Sequence, residues 1–410
     1  MVRTVIHPMN KDNQLTLFLI LMAMVSPVAL NIVAPIMPLL AEQFSSSGNI
    51  IQLSFTAYLA TLAIGQLFAG PIADKYGKRR LLLWGFGLHI VGGLVGVFAS
   101  SVSLILLSRV MQAAGGCIGM MLARSILVDI YPSEKAVEKL SYITMGVAVS
   151  QAIAPTIGGV SAEIFGWHSV FYLPMFMAFC VWLGVFFQYP KPITEKNVAR
   201  KSSFLATYRW LISNRVYTSL ALSSTLIACG FFAFVTCAPF IAHQLLGDNL
   251  TQYGFWFLFV ALGFMAGSFA SAQLSAKWSH ATTIVAGHCL SLVGAVTMLL
   301  SLSFYSVSYQ TLFLSMAIFT FGRGLSQPHL QSLSISAVPV NRASASGLLG
   351  FIQLLLGALF AQLIGLLVEY IGFIMLPILL TSFAIIAIVL YLYCHHYLMP
   401  QQETTMPSTN

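Results

Sequence analysis

Charge is what this sequence has least of. Asp, Glu, Lys and Arg make up 7% of its 410 residues, and 58% of the side chains are hydrophobic. Soluble chains carry about 25% charged residues, so a water-facing globule of this length is excluded. Cysteine is also scarce. The six present (Cys117, Cys180, Cys229, Cys237, Cys289, Cys394) lie in apolar runs with no Cys-x-x-Cys pair. They read as small packing residues, not as a disulfide framework or metal site. There is no Gly-x-y period and few polar tracts, which excludes collagenous and disordered classes. No Walker A loop is present, which argues against an ATP-driven pump within this chain, and no enzyme constellation is found; neither a cofactor nor a metal is expected. A net charge of +8 would raise nucleic-acid binding in a soluble protein, but here it belongs to loops. What remains is a polytopic membrane protein.

Twelve apolar runs reach the ~20 residues needed to cross a bilayer: roughly 15–40, 51–73, 81–100, 103–128, 138–162, 169–189, 217–241, 250–273, 281–303, 309–336, 345–368 and 373–397. Backbone groups in hydrocarbon must pair within their own segment, so continuous runs are helices. The first is too long for a signal-peptide core and is retained as a span. Sixteen of the nineteen Lys and Arg fall in the segments on one side, among them Arg3, Lys11, Lys75, Lys78, Arg79, Arg80 and six in the middle loop. The opposite side has none and holds Glu42, Glu163, Asp248 and Glu369. The positive-inside asymmetry places both termini in the cytoplasm.

The only long polar stretch between spans covers about 190–216. It divides the chain into a half at 1–189 and a half at 217–397, followed by a polar tail, 398–410, expected to be disordered. An offset of 202 aligns Gly65 with Gly267, Lys75 with Lys277, Tyr76 with Trp278 and Gly85 with Gly287. Two six-helix halves related by duplication point to a transporter with a site between them near the midplane.

Between the second and third spans stands Gly70-Pro-Ile-Ala-Asp74-Lys-Tyr-Gly77-Lys-Arg79-Arg80. Gly70 permits close helix approach, Gly77 a turn with positive φ, and Asp74 a hydrogen bond to a cation or helix N-terminus. This resembles motif A of the major facilitator superfamily. Arg109 to Asp129, with Gln112 and the Ala-Arg124-x-x-x-x-Asp129 ending, looks like motif B of its Bcr/CflA drug-resistance subfamily. Ala154-Pro155-Thr-Ile-Gly158-Gly159 resembles motif C of the antiporters, and Trp167-His-Ser-Val-Phe171 also matches the subfamily. The resemblance implies an all-α fold of twelve transmembrane helices in two six-helix halves, in a bacterial-type inner membrane. It implies proton-driven export of a small organic solute by a monomer, with membrane lipid as surroundings and no enzyme activity. It casts Gly70, Asp74, Gly77, Arg79, Arg80, Arg124 and Asp129 as a cytoplasmic latch, and Pro155, Gly158 and Gly159 as a kink and flat contact face. In the second half Ala276 replaces the motif A acid, so the latch there is degenerate.

The subfamily's first span usually reads Asp-x-Tyr-x-Pro-x-x-Pro. Here it is Asn31-Ile-Val-Ala-Pro35-Ile-Met-Pro38, and Asn does not titrate. No Asp or Glu lies deep in any span, whereas Arg109 and Arg323 do. An intramembrane arginine costs about 2.5 kcal/mol or more and is functional by default. Two uncompensated guanidiniums favour an anionic or zwitterionic substrate, such as a carboxylate siderophore, through bidentate bonds. For Arg109 a structural bond to backbone carbonyls and Gln112 is weighed equally with gating. Gln327-Pro328 is expected to interrupt the tenth span beside Arg323. Tyr58, Gln66, Gln151, Gln353 and Gln362 are candidate cavity hydrogen-bonders or helix glue. His89, His288 and above all His329 are candidate proton carriers. A broad multidrug exporter, a nutrient or siderophore importer, and a non-transporting receptor or scaffold are the alternatives.

Overall fold

The computed structural model describes residues 11–130, 133–188, 204–247, 249–275, 277–304, 308–337 and 342–398. Fourteen α-helices account for nearly all of them: α1 (Lys11–Asn31), α2 (Met37–Gln43), α3 (Gly48–Tyr76), α4 (Lys78–Val97), α5 (Val102–Ile130), α6 (Ser133–Phe165), α7 (Tyr172–Gln188), α8 (Phe204–Ser213), α9 (Arg215–Leu246), α10 (Leu250–Leu274), α11 (His280–Phe304), α12 (Tyr309–Ser336), α13 (Arg342–Ile371) and α14 (Met375–Tyr393). With α1 and α2 taken as one crossing, eleven elements are long and apolar enough to span a membrane. The twelfth long helix is α12, whose polar content (Gln310, Arg323, Gln327, His329, Gln331) sets it apart from the rest. The first-half crossings α1 to α7 and the second-half crossings α9 to α14 pack chiefly among themselves, and the halves meet where α3 lies against α13 and α6 against α10.

Helix ends follow local chemistry. Ser47, Asn214, Asn249 and Ser308 cap α3, α9, α10 and α12 by accepting a backbone N–H, and Ser308 closes a reciprocal pair with Thr311. Gly77 links α3 to α4 at φ +84°, a conformation other residues resist. The turns after α2, α4, α6, α9 and α13 share one end of the bundle with Gly166. Gly77 marks the other, where the cations Lys75, Lys78, Arg79, Arg80, Arg209, Arg215 and Lys277 gather.

The first span is broken. α1 stops at Asn31, a short 3-10 turn covers Ala34–Ile36, and α2 resumes at Met37. Pro35 and Pro38 lack an N–H, and each sits at the start of a new turn, where none is needed. The tenth span behaves differently from expectation. α12 runs unbroken from Tyr309 to Ser336 through Pro328, so Pro328 does not interrupt it. A single missing backbone bond within a 28-residue helix leaves the flanking ladder intact, and neighbouring helices hold it in register. The stretch read as the inter-half loop contains α8. It buries Leu211, exposes Trp210 and Ile212, and rests on α9 and α13 beside Tyr217 and Ala345.

The internal repeat is legible in the packing of α4 on α5 and α11 on α12. A Cβ on Gly115 would overlap the Gly85 carbonyl oxygen and lie 2.7 Å from the His89 nitrogen. A Cβ on Gly322 would overlap the Gly287 carbonyl and lie 2.5 Å from the Ser291 nitrogen. Gly92 against the Ser108 carbonyl recurs as Gly294 against that of Ser315, at 3.0 and 2.7 Å for the added carbon. Both halves therefore join these helices through a glycine seam at backbone contact. Gly115→Ala and Gly322→Ala should each destabilise the purified protein by about 1–3 kcal/mol through overpacking. Gly87→Ala, whose new carbon meets only Trp182 Nε1 at 3.9 Å, should leave the melting temperature unchanged. Thermal unfolding in detergent measures all three.

Candidate functional site

The break after Asn31 leaves carbonyls at the C-terminus of α1 without helical partners. Arg109 answers it. Its Nη2 donates to the Leu30 carbonyl at 3.4 Å, its Nη1 donates to Gln112 Oε1 at 2.9 Å, and its guanidinium lies 4.2 Å from the centre of the Tyr58 ring. The Tyr58 hydroxyl donates to the Ser26 carbonyl at 3.2 Å and shares a 3.0 Å bond with the Ser26 hydroxyl. Arg109 is 1% exposed. A helix C-terminus and a π face supply the countercharge that no carboxylate provides. Asn31 turns its Nδ2 back onto the Pro27 carbonyl at 2.9 Å, and its Oδ1 is buried without a partner. His89 Nδ1 meets the Gln112 carbonyl at 2.7 Å. Tyr58, His89, Arg109 and Gln112 thus belong to one polar cluster inside the first half, while Asn31 bonds within its own helix.

The resemblance to motif C has a physical counterpart. α6 runs continuously through Pro155. Gly158 lies flush on the Ile32 carbonyl at the break in the first span, and Gly159 on the Leu250 carbonyl of the other half. Thr156 Oγ1 donates to the Gly254 carbonyl at 2.7 Å. The small residues let α6 touch α1 on one face and α10 on another.

Arg323 is held differently. It lies midway along α12, part-exposed, with Nε donating to Gln327 Oε1 at 2.9 Å. Its guanidinium sits 4.9 Å from the Phe231 ring and 5.0 Å from that of Phe264. α9 and α10 therefore offer two aromatic faces to a cation that carries one neutral hydrogen-bond partner, Gln327, one turn away. Arg109, by contrast, lies about 10 Å from the start of α5, and among the described residues the two arginines share no partner. His329 has its Nδ1 2.7 Å from His280 Nδ1, toward the Gly77 end. His288 Nε2 meets Ser223 Oγ at 3.0 Å within the second-half core. Gln353 donates to Ser224 at 3.0 Å.

At the Gly77 end, Arg79 ties α4 to α7, donating from Nη2 to the Phe186 carbonyl at 2.9 Å and from Nε to that of Val185 at 3.4 Å. Lys78 Nζ donates to Ser125 Oγ at 3.0 Å. Arg80 and Arg124 are exposed. The side chains of Gly70's neighbourhood, Asp74 and Asp129 lie outside the described residues.

Residues joining the halves form a second group. Gln52 Nε2 donates to the Thr236 carbonyl at 3.1 Å, Thr56 donates to Gln362 at 3.1 Å, and Gln362 donates to Asn49 Oδ1 at 2.9 Å. Glu163 accepts from both the backbone and hydroxyl of Thr251, and His243 Nε2 lies 3.2 Å from Glu42 Oε1. These bonds gather at the Gly166 end. Gln362 is the one member that sequence reasoning had singled out for hydrogen bonding. Glu42 and His243 close a contact between segments two hundred residues apart, and neither stands out within its own run.

The family model for the Major Facilitator Superfamily matches residues 19–362. Multidrug resistance protein D of Escherichia coli (strain K12) is 25% identical over 84% of this chain and 86% of its own length. The bicyclomycin resistance protein homolog of Haemophilus influenzae is 21% identical over 87% and 90%. Among solved structures, a bacterial homolog of the human lysosomal transporter Spinster superposes with a TM-score of 0.74 at 16% identity, covering 95% of this chain and 98% of its own.

The contrast between the arginines is measurable. Gln112→Leu strands a buried charged donor and should cost about 1–3 kcal/mol of stability. Gln327→Leu, beside the part-exposed Arg323, should cost less. Equal melting temperatures for the two variants would contradict the assignment.

Proposed function

We propose a function for a chain that belongs to the Major Facilitator Superfamily: proton-driven export of small amphiphilic solutes, those bearing an anionic or zwitterionic group above others. The observation that carries this reading is Arg323, a part-exposed guanidinium between Phe231 and Phe264 whose described hydrogen bond is to neutral Gln327. Such a group offers bidentate donors to a carboxylate and flat apolar surface to a ring or chain. Arg109 has a different role in this proposal: its donors serve the broken first span, and it holds α1, α3 and α5 in register. A polycarboxylate metal chelator fits the same chemistry as a simple amphiphilic anion.

Orientation in the proposal rests on charge. In the proposal the Gly77 end, which carries the cations, faces the cytoplasm, and the carrier loads from that side while the hydrogen bonds at the Gly166 end hold the opposite side closed. The halves at 1–189 and 217–397 rock about the seam, with the segment at 190–216 as their link and the Gly77 loop as the latch. The carrier works as a monomer. A second reading, broad multidrug export, is supported by relatives whose names denote multidrug resistance. Sensitisation of a deletion strain to many unrelated drugs would favour it.

The test is flux in proteoliposomes with and without an imposed pH gradient, using a panel of organic anions and cations. Arg323→Ala should reduce anion flux about tenfold or more, the worth of one charge-assisted contact, while the melting temperature is retained. Arg323→Lys should fall between, because it keeps charge but loses the planar fork. Undiminished anion flux in Arg323→Ala overturns the site.

A further inference from the structure

Three residues on one face of α9, Thr236, Phe240 and His243, are spaced i, i+4, i+7. They meet three positions of the first half in order. Thr236 receives Gln52, Phe240 lies 2.7 Å from where a Cβ on Gly48 would stand, and His243 Nε2 lies 3.2 Å from Glu42 Oε1. This ladder lies at the Gly166 end and must separate if that end opens. Its first two rungs are a neutral hydrogen bond and an apolar contact. Its third is an imidazole facing a carboxylate, with side chains 24% and 59% exposed, so water reaches both.

We propose that Glu42 and His243 form a proton-binding site that locks the two halves together at the Gly166 end. With His243 protonated, a positive imidazolium faces the Glu42 carboxylate across the seam. With His243 neutral, the charge attraction between halves is lost. The neighbours support this assignment of the titrating group. Tyr253 of α10 and Tyr309 of α12 line the same small cavity as His243, with Pro35 and Pro38, and phenols keep their protons from about pH 5 to pH 8. Glu163 of α6 is engaged by Thr251 of α10, and Asp248 lies outside the described residues. Carboxylates stay ionised over that range, whereas histidine is the side chain that changes charge within it.

The sign follows. Lower pH at this face favours the closed seam, and higher pH releases it. The proposal rests on the export reading only for its direction in the cell: the proton is taken from outside, after solute release, and resets the carrier to the state loaded from the cytoplasm. A partly exposed pair contributes little to fold stability, but alternating states lie close in free energy, so a shift of about two- to five-fold in the closed-to-open ratio is expected.

The experiment needs no substrate, so it is independent of whether the chain exports anything. In a Cys289→Ser background, which removes the exposed thiol, spin labels are placed at Ser103→Cys and Ser303→Cys, exposed positions near the Gly166 end in opposite halves. Distance distributions are recorded in lipid nanodiscs at about pH 5.5 and pH 8. The parent should show the closed distance enriched about two- to five-fold at the lower pH. His243→Gln and Glu42→Gln should each abolish the response, and the exchange Glu42→His with His243→Glu should restore it. A parental response retained in His243→Gln overturns the proposal, as does a pH-independent distance in the parent. A pH response with no flux of any solute would sink the export reading and leave the proton site standing.

Discussion

The guanidinium of Arg109 is the constraint on which the first half depends. A charged side chain within a membrane-spanning helix costs about 2.5–3.5 kcal/mol on insertion scales, and among the described residues no carboxylate pairs with this one. The chain supplies three substitutes: the Leu30 carbonyl exposed by the broken first span, the Gln112 side chain, and the face of Tyr58. Each bond to a charged group contributes about 1.5–3 kcal/mol, enough to offset that cost. The break and the charge therefore justify each other. A continuous first span would leave Arg109 short of an acceptor, and an apolar residue at Arg109 would leave a buried carbonyl unpaired.

From that point the rest of the half is positioned. Tyr58 is fixed by Ser26, so α3 is tied to α1. Gly158 lets α6 lie against the Ile32 carbonyl of the same break, while its neighbour Gly159 reaches the second half. α6 thus touches both the break and the opposite half, and the short turn in the break also meets α9 and α10 directly, so a change at the first span reaches the seam by more than one contact.

The two halves repeat their packing but not their chemistry. Gly85, Gly92 and Gly115 recur as Gly287, Gly294 and Gly322, with the same backbone groups opposite them. The polar residues on this scaffold diverge. Ser291 occupies the place of His89 at the seam, and the second half sets its arginine midway along its helix, part-exposed and against aromatic rings rather than a helix terminus. Close backbone packing tolerates only glycine, so duplication preserves it. Side chains that face a cavity or another helix carry no such restriction, and function is free to differ between them. The contact between halves is a third regime: to the packing of α3 on α13 and α6 on α10 it adds hydrogen bonds and a partly exposed imidazole–carboxylate contact, each of small net worth.

The helical membrane-spanning fold, the positions of most turns and the glycine repeat were legible in the sequence, because apolar length, charge scarcity and glycine spacing are local properties that survive without knowledge of neighbours. Asn31, Arg109 and Arg323 stood out for the same reason, each being polar where its run is not. What only the tertiary structure decided was which helix faces meet. It showed that the first span breaks at Asn31 while α12 passes through Pro328. It placed Arg109 on a helix terminus and Arg323 between aromatic rings, and it brought Glu42 to His243 across the seam. Whether a proline ends a helix, or a buried charge is satisfied, depends on partners distant in the chain, and no local pattern encodes those partners.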